Sequence, residues 1–138
     1  MSIAFKFYDV SRFPLVTIEG SRLPPGYAPQ WIAEMEALVA RATPFVFVLL
    51  DGVENPTHAD QKAQTQWFKR NKQALASVCR GVVAVEPDLA KRLLKRAQAL
   101  AITAAFGLRF SIAPDREEAE RRARLLLAGE MPIDDRDQ

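Results

Sequence analysis

The chain has 138 residues, of which 49% are hydrophobic and 26% charged, and a formal net charge of +2; that is enough chain for one hydrophobic core and short for two. No apolar run reaches the roughly 20 residues that a membrane-spanning helix needs, and residues 1–10 lack the charged start, apolar middle and small-residue cleavage site of a secretory signal. The one cysteine, Cys79, has no partner for an intrachain disulfide and lies among apolar neighbours, so a cytoplasmic, reducing setting is expected.

The small net charge hides an asymmetry. Residues 1–60 carry four basic and seven acidic side chains, residues 61–110 carry ten and two, and residues 111–138 carry five and eight. The middle of the chain is therefore a basic block, able to attract anionic partners if the fold gathers its charges on one side.

In chain order, Ile3, Phe5 and Phe7 alternate with more polar neighbours, and residues 13–19 are rich in Val, Thr and Ile. These predict two strands, joined through residues 9–12 as an antiparallel hairpin. A Pro/Gly loop at residues 23–26 precedes a helix opened by Pro29, whose Trp31, Ile32, Met35, Leu38 and Val39 keep helical spacing. Residues 45–50 are continuously apolar and closed by Asp51-Gly52, which predicts an internal strand of a parallel sheet, covered on both sides. Thr57 and Asp60 form a capping box for the next helix, with Trp67, Phe68, Leu75 and Val78 inward. Residues 81–85 form a strand, Asp88 caps a helix with Leu89, Leu93, Ala97 and Leu100 inward, and residues 109–113 form the fifth strand. Asp115 and Glu118 open the last helix, and Gly129 closes it. The expectation is an α/β fold: one mostly parallel five-stranded sheet with an N-terminal antiparallel hairpin and four helices, residues 1–128 forming a single domain and 129–138 a mobile polar tail.

Three stretches resemble the SpoIIAA-like group of the STAS-like superfamily: residues 44–51 with the following loop and Trp67 helix, the strand at residues 80–85, and the segment from Phe106 through the helix start at Asp115 to Ala119. The resemblance implies a fold more than an activity. Regulatory members of that superfamily accept phosphate on a Ser or Thr beside the helix after the central strand, where Thr57 is the only hydroxyl in the corresponding loop of this chain; other relatives hold lipids or small apolar ligands in a pocket under a mobile helix. On its residues Thr57 reads as a helix cap and not as a phosphosite.

Two groups of residues are candidate sites. Asp51, Asn55, Thr57 and His58 fall at the carboxyl end of the central strand, where open α/β sheets bind ligands, and form a candidate ligand or regulatory face. Lys91, Arg92, Lys95 and Arg96 fall at spacings that share the outward side of one helix and form a candidate basic interaction face. Trp31 and Trp67 sit on apolar stripes and read as core. The chain holds no metal-ligand spacing, no phosphate loop and no positioned partner for His58, its one histidine, so no catalytic residue, metal or cofactor is expected. With a pI near 8.9 and no aromatic platform among the charges, nucleic acid is not an expected partner either. The function expected is a non-catalytic binding or regulatory module acting through protein–protein contacts, with small-molecule or lipid binding in a pocket beside the central strand as the alternative. The edge hairpin leaves homodimerisation open.

Overall fold

The computed structural model describes residues 4–132. Five strands, β1 (Tyr8–Asp9), β2 (Leu15–Glu19), β3 (Phe45–Asp51), β4 (Cys79–Val85) and β5 (Phe110–Ala113), lie in that spatial order in one sheet. β1 is antiparallel to β2 and every other pairing is parallel. The four helices are α1 (Ala28–Ala40), α2 (His58–Val78), α3 (Leu89–Phe106) and α4 (Arg116–Leu127). Crossovers of one hand that advance in one direction set their helices on one face, which leaves α4 to cover the other.

The strand expected to be internal is the middle one. Along β3, Phe45 and Phe47 enter a core shared with Trp31, Met35 and Leu38 of α1 and Trp67, Leu75 and Val78 of α2. Val46 and Val48 enter a second core with Val83, Ala119, Ala123 and Leu126. Two apolar environments explain the absence of alternation in its sequence. The small Ala119 and Ala123 side chains, both fully buried, let α4 lie close against the sheet. In the first core the rings of Trp31, Trp67 and Phe68 meet edge to face, with centroids 5.3–5.7 Å apart.

The first strand is shorter than the alternation of residues 3–8 predicts, and Ile3 itself lies outside the described residues. The reason is Glu34. This fully buried α1 side chain accepts the backbone N–H groups of Lys6 at 3.1 Å, Phe7 at 3.2 Å and Tyr8 at 2.9 Å, so the segment is held by a carboxylate instead of a neighbouring strand. At the other end, Gly129 adopts φ 82° and Glu130 N–H returns to the Leu125 carbonyl at 2.9 Å, closing α4 as expected. Of the expected tail, residues 133–138 lie outside the described residues.

The orientation of α3 corrects the sequence reading. Leu89, Leu93, Ala97 and Leu100 face outward, with Leu100 74% exposed, and the residues buried on this helix are Arg92 and Ala99. Polar chemistry at the end of β4 accounts for the turn: the Arg92 guanidinium donates to the Glu86 carbonyl at 2.9 Å and the Pro87 carbonyl at 2.8 Å, and Lys95 pairs with the Glu86 carboxylate at 2.7 Å. Carbonyls at a strand end need donors when water is excluded; Arg92, on the inward side of α3, supplies them, and Lys95 pairs with the carboxylate beside them.

Candidate functional site

With α3 seated on polar contacts, the space between it and the sheet is left unfilled. A cavity of about 480 Å³ lies there. Its floor is Ile18, Phe47, Leu49, Val82 and Phe110, and its walls are Trp31 and Met35 of α1, Phe68 and Leu75 of α2, and Ile102 and Phe106 of α3. Exposed lining residues Asp51, Gly52, Thr65 and Ile102 mark where it meets solvent. A second hollow of about 230 Å³, lined by Ala84, Val85, Lys95, Gln98 and Ala99, shares Leu49, Asp51, Gly52, Ile102 and Phe110 with the first.

The rim is built by a close backbone approach. A Cβ on Gly20 would come within 2.7 Å of the Gly52 carbonyl carbon and 2.8 Å of the Asp51 oxygen and the Val53 nitrogen, so only glycine lets the end of β2 rest against the end of β3. This contact delivers Ser21 to Asp51, whose carboxylate accepts the Ser21 N–H at 2.9 Å and its hydroxyl at 2.6 Å. The carboxyl-end aspartate is thus a turn acceptor as well as a rim residue.

Tyr8 is the buried member of the polar lining. Its hydroxyl accepts from Trp31 Nε1 at 3.0 Å, and among the described residues no acceptor takes the hydroxyl's own proton. Burial pushes the Tyr8 phenol well above its ordinary range, against the opposing hydrogen bond from Trp31. It therefore stays a protonated donor at neutral pH, beside a mostly apolar space.

Of the ligand-face candidates, Asp51 alone lines the cavity; Asn55, Thr57 and His58 are exposed on the adjoining loop and helix start. Thr57 caps α2: its Oγ1 accepts the Asp60 N–H at 3.0 Å, while the Asp60 carboxylate accepts the Thr57 hydroxyl at 2.9 Å. Asp60 also accepts the N–H groups of Gly26 at 2.8 Å and Ala28 at 3.1 Å. Burial would raise its pKa, but these backbone bonds and those to Thr57 outweigh it and hold the carboxyl below its usual range.

The four cations of α3 do not share an outward face. Lys91 is exposed, Lys95 and Arg96 are half-buried and Arg92 is buried on backbone carbonyls. Cys79 is buried, which raises its thiol pKa to about 12, so it packs as a small apolar side chain. The residues that sequence reasoning passed over are Tyr8, Ile102 and Glu34, and Trp31 and Phe68, read as inward packing, prove to be cavity wall as well. Glu34 had a signal: it falls between Trp31 and Leu38 on the apolar stripe, where a carboxylate must find buried donors. No helix among the described residues is long and apolar enough to cross a membrane. No family model matches the chain, nor does any curated protein or solved structure.

Proposed function

We propose that this chain is a non-catalytic binding module of STAS-like type that holds a small apolar molecule, a lipid or metabolite bearing an oxygen acceptor, between its sheet and helices α1–α3. The cavity carries this reading: about 480 Å³ falls within the roughly 300–1,000 Å³ of small-molecule sites, which are mostly apolar with a few placed polar groups. Tyr8 is the placed group, donating to a carbonyl or carboxyl oxygen at the inner end. Asp51 and Gly52 sit at the mouth, at the carboxyl end of the central strand, where open α/β sheets take their ligands. The element order supports the STAS-like assignment. A second reading, a regulatory module acting through protein contacts, is favoured by the exposed apolar side of α3.

Calorimetric titration with dodecanoic acid, together with native mass spectrometry of the purified chain, tests the cavity. Leu49→Phe narrows it and Tyr8→Phe removes the hydroxyl, and each should weaken binding by about tenfold, the size of one well-made contact. A chain that carries no small molecule and takes up no dodecanoate overturns the reading, as does binding that both variants leave unchanged.

A further inference from the structure

Five of the six large hydrophobic residues exposed among the described ones lie on α3, and four of them are leucines turned away from the cavity. Within that outward face Ala90, Leu93, Ala97, Leu100 and Ala104 are all exposed. They recur at spacings of three, four, three and four, the repeat by which one helix seats against another. Alanine alternates with leucine along it, so the small side chains let an opposing helix come close while its leucines pack between them. A contiguous apolar face of this kind marks an interaction site on a soluble domain.

The charges decide what covers it. A helix that lies on a bilayer carries Lys and Arg beside its apolar face to meet lipid head groups. Here Arg92 and Lys95 are turned inward onto the end of β4, and Lys91 is the exposed cation of the four. A face almost without charge suits a second copy of itself, because the chain's net positive charge is kept out of the contact. Crossing two copies antiparallel sets each Lys91 beside the carboxyl end of the other α3, whose terminal carbonyls favour a cation.

We propose that α3 forms the interface of a two-fold homodimer, antiparallel and centred near Ala97. Every contact is then made twice. An 18-residue helix is about 27 Å long. Such a seam buries roughly 1,000 Å² in total, below the roughly 1,200–2,000 Å² of stable interfaces and within the range of weak, transient ones, so a reversible dimer with a dissociation constant on the order of 10–100 µM is expected.

Sedimentation equilibrium of the full chain from about 5 to 500 µM brackets that range and should show reversible dimerisation. Leu93→Glu combined with Leu100→Glu should weaken it by about a hundredfold or more, with the thermal midpoint at about 1 µM, where the parent is also a monomer, unchanged because both positions are exposed. Ala97→Cys should oxidise to a disulfide-linked dimer, since native Cys79 is buried, whereas Lys72→Cys on the exposed side of α2 should not. The proposal is overturned by a monomer throughout the range, by a dimer that persists in the double variant, or by cross-linking no faster at position 97 than at 72. A monomer that binds phosphatidylglycerol vesicles through Leu93 and Leu100 also overturns it, in favour of a membrane surface.

Discussion

The Asp60 carboxylate accepts the Ala28 N–H at 3.1 Å, so a residue in the first turn of α2 also closes the first turn of α1. One side chain satisfies orphan donors at two helix starts. The relative position of these helices, which form two walls of the cavity, is therefore tied to one carboxylate.

That tie gives stability a pH dependence. The folded pKa of Asp60 lies below its unfolded value, so its contribution is complete above the unfolded carboxyl value of about 4 and is lost as pH falls through the folded value. Asp60→Asn should lower the urea midpoint at pH 7 and flatten the loss between pH 5 and 2, compared with the parent. An identical acid limb in the two proteins would remove Asp60 from this role. Glu86, Glu118 and Glu120 are also held low, each first by hydrogen bonds to cationic side chains, so some acid sensitivity remains in the variant.

Glu34→Ala should cost roughly 3 kcal/mol, because it leaves several buried or half-buried N–H groups without an acceptor. Glu34→Gln, which keeps one acceptor oxygen, should cost less. Equilibrium denaturation gives the two values. Limited proteolysis of Glu34→Ala should cleave within residues 4–9, the segment that carries Tyr8 to the cavity.

Gly20→Ala forces a methyl group into the backbone of residues 51–53. The chain there cannot yield as a flexible side chain would, and a loss of about 1–3 kcal/mol is expected. Ser21→Ala removes only the hydroxyl bond to Asp51 and should cost less. Equal losses in the two variants would mean that the approach at Gly20 is looser than its geometry indicates.

Thr57→Ala should lower stability by about 1 kcal/mol, the usual effect of losing a cap, and Thr57→Ser should restore most of it. Denaturant midpoints at neutral pH read the difference. If protein from the native cell carries stoichiometric phosphate on Thr57, the hydroxyl has a regulatory use beyond the cap.

The order of elements could be read from the chain because it rests on local signals: the unbroken apolar run of β3, the Thr57–Asp60 spacing, and Asp88 and Asp115 before their helices. The orientation of α3 could not. Its leucines have helical period, and the ordinary rule turns such a stripe inward. What turns it outward is the meeting of Arg92 and Lys95 with the end of β4, a contact whose value depends on carbonyls left open by the fold. The cavity was hidden for the same reason, since a gap between α3 and the sheet is a property of how they sit together. Asp51 could be recognised as the residue that closes the central strand, but its partner Ser21 lies 30 residues away and is brought to it only by the bare Cα of Gly20. Glu34 was passed over because the donors that satisfy it, the N–H groups of Lys6, Phe7 and Tyr8, lie 26 to 28 positions away in the chain.

The chain contains two tryptophans, and they touch each other at 5.7 Å in one aromatic cluster whose members Trp31 and Phe68 form cavity wall. All indole emission of the molecule therefore originates within one side chain of its interior space. The protein carries its own optical probe: entry of any guest that changes the polarity or freedom of that wall is written directly into its fluorescence, with no label attached and no background from elsewhere in the fold.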